Sequence, residues 1–200
     1  LILILGISFY RHIKFENLDV HKFHLIFYIK FGIHKLLKFL KSLFKNMRII
    51  LKNKETLLYD EFRFKCCIGK NGTTSNKIEG DKKTPKGIFS LGPVFYRKDR
   101  IKNLVTKLRK KEINKLMGWC DDEKSKNYNK LIKVNNKIGH EKLFQKKTNY
   151  DVLIPIKYNT KKPKKNKGSA IFIHLTKNYR ETLGCIASVS YTHLTLPTNA

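Results

Sequence analysis

The chain has 200 residues, with 43 Lys and Arg against 15 Asp and Glu, and its net charge is +28. The hydrophobic fraction of 41% is enough to build a core, which excludes a purely disordered basic tail. Four Cys are too few for a disulfide scaffold, and the sequence contains no uninterrupted run of 18 apolar residues that would predict a membrane span.

The basic excess consists almost entirely of lysine. A surface this basic attracts phosphate, acidic polymers and anionic surfaces. Arginine, which nucleic-acid binders commonly use to read bases, accounts for only seven residues, so we expect no specific nucleic-acid partner. A lysine-rich base composition of the gene would give the same excess without any function.

Residues 1–46 differ in pattern from the rest of the chain. Between Leu36 and Phe44, apolar residues recur at helical spacing with lysines among them, which predicts a basic amphipathic helix. Such a segment could make weak contact with an anionic membrane surface, or it could be the remnant of a signal or anchor. Alternatively, it is read-through of upstream sequence and Met47 is the true start, which the strand pattern immediately after Met47 favours.

Residues 47–188 are predicted to form one domain. Two apolar stretches, 48–52 and 57–68, surround a short polar turn, and the even spacing of apolar residues in the second predicts a half-buried strand. Together they predict a β-hairpin. A further β-rich stretch follows at 87–95.

The second half of this domain contains the predicted helix and two more strands. Apolar residues at 101, 104, 105, 108, 113, 116 and 117 recur among charged ones, which predicts a helix over 101–117. Strands are predicted at 150–158, where Pro155 suggests an edge or irregular strand, and in the compact apolar stretch 169–175. The whole pattern predicts a mostly β fold, a mixed sandwich-like sheet with one helical insertion.

The composition changes again near the C-terminus. From Glu181 to Ala200 there is no Lys or Arg, although more than a fifth of the whole chain is basic. We therefore interpret 189–200 as foreign, artefactual sequence and leave it, with His193, out of the functional argument.

The cysteines do not predict a metal site. Cys66 and Cys67 are adjacent on a predicted strand, where neighbouring side chains point to opposite faces. The chain also has no Cys-x-x-Cys pair and no His-x-x-x-His pair, so its cysteines lack the usual zinc spacing.

Cys185 and His174 are the candidates for nucleophilic catalysis. Gly184 permits a tight turn before Cys185, and the amides of such a turn can face a developing oxyanion. His174 ends the apolar stretch eleven residues earlier and is placed to act as a general base. An adjacent imidazole would lower the pKa of the thiol. From spacing alone, a buried structural cysteine and a histidine with ordinary partners are the commoner outcome.

Several short motifs are spaced along the predicted domain. The most specific are Gly168-Ser169-Ala170-Ile171-Phe172-Ile173-His174 and Thr182-x-Gly184-Cys185. The others, in chain order, are Cys67-Ile68-Gly69-Lys70-Asn71-Gly72, Lys77-x-Glu79-Gly80-Asp81-x-x-Thr84-Pro85-x-Gly87-x-Phe89, Tyr96-Arg97-x-Asp99-Arg100, Gly118-Trp119-Cys120-Asp121-Asp122, Tyr128-Asn129, His140-Glu141 and Tyr150-Asp151. Together these motifs resemble the L,D-transpeptidase catalytic domain, the YkuD-like family, in its compact bacterial branch.

The resemblance implies a mostly β catalytic domain that acts on peptidoglycan through a Cys acyl-enzyme. Cys185 would be the nucleophile, His174 the general base and acid, and Gly184 part of a backbone oxyanion hole. The partners would be donor and acceptor stem peptides, the protein would be a monomer of the periplasm or cell envelope, and no metal or organic cofactor would be needed.

Five other residues complete the predicted site. Thr182 and Ser169 belong to the motifs around the nucleophile and would bind substrate or support the turn. Asp121, Asp122 and Glu141 would line the cleft and hold the ammonium groups of stem peptides. For the three acidic residues, a structural role in capping or in pairing with lysine is the alternative.

The chain also departs from the commoner family pattern. Leu183 stands where that pattern has a second His, and Ala187 stands where it has an Arg. The mode of substrate anchoring therefore stays open. Two alternatives to a transpeptidase also stay open: a carboxypeptidase that uses the same Cys–His site with water as acceptor, and a non-catalytic lysine-rich module that binds polyanions.

Overall fold

The computed structural model describes residues 48–59, 62–134 and 136–188. The predictions for 1–46 and 189–200 lie outside the described residues. The strands are Ile49–Leu51 (β1), Thr56–Tyr59 (β2), Phe62–Cys67 (β3), Thr73–Thr74 (β4), Thr84–Pro85 (β5), Val94–Tyr96 (β6), Lys110–Glu112 (β7), Met117–Cys120 (β8), Leu131–Lys133 (β9), His140–Lys142 (β10), Val152–Pro155 (β11), Phe172–Leu175 (β12) and Ile186–Ser188 (β13).

Most of the strands belong to one mixed sheet. Its order is β1-β2-β3-β13-β12-β11-β6-β7, and the pairs β12–β13 and β6–β7 are parallel while the other neighbours are antiparallel. The strands β10-β8-β9 form a second, antiparallel sheet, and β4 and β5 form a short parallel pair. The prediction of a mostly β fold is confirmed.

The two faces of the large sheet bury different side chains. Alternation along β12 places Phe172 and His174 on one face and Ile173 on the other. On the first face, Phe172 packs edge-on against Trp119 of the small sheet, with ring centroids 5.2 Å apart. Cys185 belongs to the same core cluster, so the sulfur lies between the two sheets.

The predicted helix at 101–117 is wrong. The segment contains no helix; its last part forms β7 and the start of β8. Ile101 is buried, and Leu104 and Leu108 pack beside it, against the large sheet. Tertiary packing thus satisfies these apolar side chains without helical periodicity, and β7 pairs in parallel with β6 instead.

Two strand predictions also need correction. The stretch 57–68 is not one strand, because β2 and β3 are separate and pair with each other, while β1 pairs with β2 as the predicted hairpin requires. Pro155 does not mark an edge, since β11 lies between β6 and β12. It is the last residue of β11, and its carbonyl accepts the amide hydrogen of Gly92 at 2.7 Å.

The only helical element among the described residues is a 3-10 turn at Thr148–Tyr150. In this part of the chain, therefore, there is no helix with the length and apolar character that crossing a bilayer requires.

Candidate active site

The turn that precedes Cys185 is held by the Thr182 hydroxyl. Its Oγ1 accepts the amide hydrogen of Gly184 at 3.1 Å and donates to the carbonyl of Cys185 at 2.6 Å. The backbone of Thr182 is tied to the neighbouring strand region, because its N–H donates to Ile68 O at 2.9 Å and its carbonyl accepts from Lys70 at 2.9 Å. The amide of Gly184 is thus already engaged within the turn.

A second threonine fixes the other side of this turn. Thr84, which is 2% exposed, donates from Oγ1 to the carbonyl of Gly184 at 2.9 Å and accepts the N–H of Gly69 at 3.0 Å. The carbonyl and the following N–H of a trans peptide point in opposite directions. By holding the Gly184 carbonyl, Thr84 therefore sets the direction of the Cys185 N–H.

Gly184 cannot be replaced by a larger residue without strain. Its φ of +140° lies in a region that side-chain-bearing residues rarely adopt, and a Cβ would lie 3.1 Å from the carbonyl oxygen of Lys83. The tight turn that the sequence predicts at this glycine is present.

The sulfur of Cys185 is buried among backbone groups and apolar side chains. Cys185 is 8% exposed; its Sγ accepts the N–H of Phe172 at 3.4 Å and donates to the carbonyl of Ala170 at 3.3 Å. Burial, and next the charge of Glu141, raise the pKa of this thiol to about 12, against the lowering effects of the Phe172 N–H and the charge of Lys77. The expected low-titrating thiol is therefore wrong for this structure, in which the thiol is protonated at neutral pH.

His174 has a defined hydrogen-bonded orientation. Its Nδ1 lies 2.8 Å from the carbonyl of Leu175, which can only accept, so Nδ1 carries a proton and Nε2 is the basic nitrogen of the neutral ring. The side chain is 9% exposed, and burial lowers its pKa although the Leu175 carbonyl opposes that effect. The imidazole is therefore neutral, and able to accept a proton, at neutral pH.

Cys185 and His174 lie on the same face of adjacent strands. In the parallel pairing of β12 with β13, His174 is opposite Ala187. Cys185 comes two residues before Ala187, so it is displaced from His174 by one strand spacing and by two residues along the strand direction. This offset corresponds to about 8 Å between Cα atoms. No hydrogen bond joins the two side chains, because the sulfur is turned toward Phe172 and Ala170. A rotation about the Cα–Cβ bond of Cys185 is needed to bring the thiol toward the imidazole.

The carbonyl that accepts the hydrogen bond from the Cys185 thiol belongs to a residue with a strained backbone. Ala170 has φ of +50°, a conformation that costs a non-glycine residue about 1–3 kcal/mol and needs support from its surroundings. The side chain of buried Asn129 supplies support: its Oδ1 accepts the Ala170 N–H at 3.1 Å and the Trp119 indole N–H at 2.9 Å. Asn129 thus links the small sheet to the backbone beside the sulfur.

One predicted carboxylate lies beside the pair. Glu141 on β10 accepts a hydrogen bond from the Tyr150 hydroxyl, and the Tyr150 ring packs edge-on against His174 with centroids 5.2 Å apart. Burial, and then the charge of Asp121, raise the pKa of Glu141. The same burial keeps the Tyr150 hydroxyl protonated, since its pKa lies well above the ordinary value.

The remaining acidic residues are placed differently from one another. Ser169 donates from Oγ to Glu79 at 2.8 Å, and the Tyr128 hydroxyl donates to the same carboxylate oxygen. Asp121 as a whole residue is exposed, but partial desolvation of its carboxyl group, and next the charge of Glu79, raise its pKa. Asp122 accepts the N–H of Lys124 at 2.9 Å, which is a structural contact of the capping kind that the sequence analysis gives as its alternative role.

Sequence reasoning missed three residues that organise this site. Thr84, Asn129 and Tyr150 appear in the sequence analysis only within the family motifs, because none of them carries a chemical signal of its own. Among the described residues, no group of three or more His, Cys, Asp or Glu side chains is placed to hold a metal ion.

A family model for the YkuD L,D-transpeptidase catalytic domain matches residues 45–190. The match spans all the described strands, including the segments that contain His174 and Cys185. It confirms the resemblance inferred from the motifs. No curated protein and no solved structure matches the chain.

Proposed function

The chain belongs to the L,D-transpeptidase catalytic-domain family, and on that premise we propose that it is a peptidoglycan L,D-transpeptidase with Cys185 as its nucleophile. One observation carries the proposal. The hydrogen bond from His174 Nδ1 to the Leu175 carbonyl makes Nε2 the basic nitrogen, on the same sheet face as the Cys185 thiol. A base held by a third group beside a nucleophile is the arrangement that covalent catalysis requires.

In the first step, Cys185 attacks the amide carbonyl that follows the L-centre of meso-diaminopimelate in a donor stem peptide. His174 Nε2 takes the thiol proton as the carbon–sulfur bond forms. The proton then passes to the departing nitrogen, the amide bond breaks, and the terminal D-amino acid leaves. Since the resting thiol has a pKa of about 12, proton transfer to the imidazole has to accompany attack.

The developing oxyanion would be stabilised by backbone amides. Thr84 sets the direction of the Cys185 N–H through the Gly184 carbonyl, which supports this N–H as one donor. Gly184 N–H would be the second donor, and it would share its hydrogen with Thr182 Oγ1, its present acceptor. In this proposal Thr182 and Ser169 support the site without touching the reacting atoms.

In the second step, an amine of an acceptor stem peptide attacks the thioester. His174 removes a proton from the amine, an amide bond forms, and Cys185 leaves as the thiol after it regains a proton. The apolar core cluster around the sulfur limits access of water to the thioester, which favours transfer over hydrolysis. Glu141 and Asp121 supply negative charge near the site for the ammonium group of a stem peptide.

The substrate determines where this chemistry takes place. Because peptidoglycan lies outside the cytoplasmic membrane, we propose that the protein acts in the periplasm or cell envelope, as a monomer and without a cofactor.

The experiment is a product analysis with the full chain, a tetrapeptide donor and an amine acceptor. We expect a cross-linked product and release of the terminal D-amino acid from the native protein, and neither from Cys185→Ala. Cys66→Ala is the matched control, because Cys66 is also a buried free thiol but belongs to the core cluster on the other face. Release of the D-amino acid with no cross-linked product would identify a carboxypeptidase. Equal products from native and Cys185→Ala proteins would refute the proposal.

A further inference from the structure

A pocket lined by lysines lies next to the segment that contains Ala170, whose carbonyl accepts a hydrogen bond from the Cys185 thiol. It has a volume of about 320 Å³, and its lining includes Asn76, Tyr158, Asn159, Lys164 and Lys167. Lys77 also lines this pocket. None of these groups takes part in the proposed chemistry, and none belongs to the acidic residues that are predicted to line the cleft.

The pocket carries a positive charge that is not neutralised locally. Lys77 is paired with Asp81, but no carboxylate among the described residues forms a salt bridge with Lys164 or Lys167. The sequence from 152 to 180 contains no acidic residue, whereas six lysines occur between 157 and 167. Lys164 and Lys167 are therefore the cations that an entering anion would meet, although the charges of Asp81 and Glu79 also act on Tyr158 in the lining.

The lysines project from a loop whose backbone is fixed. The Asn159 side chain accepts the N–H of Lys164 at 2.8 Å and donates to the carbonyls of Lys164 and Gly168 at 2.9 and 3.0 Å. The Tyr158 hydroxyl donates to the carbonyl of Lys167 at 2.6 Å. A fixed backbone lowers the entropy cost of gathering several cations around one ligand.

Lys77 and the segment after the loop connect the pocket to the sulfur. The stem of Lys77 packs so closely on Gly168 that a Cβ there would lie 2.7 Å from its Cγ. Two residues after Gly168, the carbonyl of Ala170 accepts the thiol hydrogen of Cys185. A ligand group in the pocket is thus held beside the same backbone segment that positions the nucleophile.

We propose that this pocket is a carboxylate subsite of the substrate-binding cleft. It binds a carboxylate of the donor stem peptide, while Glu141, whose charge acts on Cys185, and Asp121, whose charge acts on Glu141, receive the ammonium group. The two charged regions together fix the direction in which a zwitterionic peptide lies across Cys185. This inference rests on the proposed function.

The test compares a tetrapeptide donor with the same peptide whose carboxylates are amidated, in the full chain. The variant is Lys164→Gln with Lys167→Gln, and the matched control is Lys102→Gln with Lys107→Gln, which removes the same charge from exposed positions elsewhere. For the native protein and the control we expect kcat/KM for the free carboxylate donor to exceed that for the amidated donor by about five- to tenfold. The pocket variant loses this preference, chiefly through KM.

Equilibrium binding to Cys185→Ala protein keeps the subsite testable apart from catalysis. Calorimetric titration with the two peptides should show the same preference in Kd, and the pocket substitutions should abolish it. Absence of acylation in the native protein would refute the proposed function but leave this binding result intact. Equal Kd values for the two peptides, or an equal loss in the control variant, would overturn the subsite.

Discussion

Two neighbouring regions of this protein differ sharply in charge and exposure. The Cys185 sulfur lies in a core cluster with Glu141 close enough to raise its pKa, although the chain has a net charge of +28. The loop that contains Lys164 and Lys167 is exposed and has no carboxylate of its own. In the proposed account the lysines form a substrate-binding surface, whereas the chemistry depends on a few buried hydrogen bonds between uncharged groups.

The proposed base offers the largest expected effect on the buried side of this comparison. His174→Gln should lower kcat for donor acylation by about 10³-fold, because it removes the proton acceptor and leaves the polar outline of the side chain. In the native protein, the acidic limb of kcat/KM should lie below the ordinary histidine pKa of about 6.5, since burial lowers the pKa of His174. Steady-state rates of the native and His174→Gln proteins across pH measure both the loss in kcat and the position of the acidic limb. An acidic limb above pH 7 would contradict the buried neutral imidazole.

The pH dependence of the alkylation rate distinguishes a buried, protonated thiol from an activated thiolate. Because the pKa of Cys185 is raised to about 12, its thiolate fraction should rise about tenfold per pH unit from pH 7 to 10. Iodoacetamide labelling at each pH, followed by peptide mapping of Cys185 and a circular dichroism check of folding, gives the slope. A labelling rate that levels off below pH 8 would show an ion-paired thiolate. Cys185 would then be charged, and the contrast between an uncharged buried site and the charged loop with Lys164 and Lys167 would not hold.

Thr84 tests whether the turn depends on a buried hydroxyl. Thr84→Ala should lower kcat by about 10- to 100-fold, because the Gly184 carbonyl and the Gly69 N–H lose their shared partner. The same loss should destabilise the fold by about 1–3 kcal/mol. Thr84→Ser keeps the hydroxyl and should restore most of kcat, as measured by steady-state kinetics beside urea unfolding. A serine variant as slow as the alanine variant would assign the effect to packing instead.

Asn129 connects the two regions and should give the smallest effect. Its amide group donates to the carbonyls of Tyr158 and Asn159, which precede the loop that contains Lys164 and Lys167. Its Oδ1 accepts the N–H of the strained Ala170. Asn129→Ala should lower kcat by about tenfold. Ala170→Gly, which adopts positive φ without strain, should restore part of that loss in the double variant. Purely additive effects of the two substitutions would show that Asn129 does not act through Ala170.

The sequence predicted two features of the site. The apolar stretch 169–175 contains β12, and Gly184 forms the tight turn that its position before Cys185 suggested. Both features are local, since they depend on residue pattern and on the conformational freedom of glycine.

The parts that could not be predicted depend on long-range contacts. Thr84 and Gly184 are 100 residues apart, and Tyr150 reaches His174 only because the sheets pack together. The helix prediction at 101–117 was wrong for the same reason, because Ile101 and Leu108 pack in one cluster with residues of β6, β11 and β12. The raised thiol pKa likewise follows from burial, which no spacing of Cys and His encodes.

Trapping the acyl-enzyme tests the central claim most directly. The full chain is mixed with excess tetrapeptide donor, quenched in acid within one turnover, and analysed by intact mass and then by peptide mapping. The account predicts one added tripeptidyl group, in thioester linkage, on Cys185, with its formation slowed in His174→Gln protein and unchanged in Cys66→Ala protein. A donor consumed with no adduct, or an adduct on another cysteine, would contradict it.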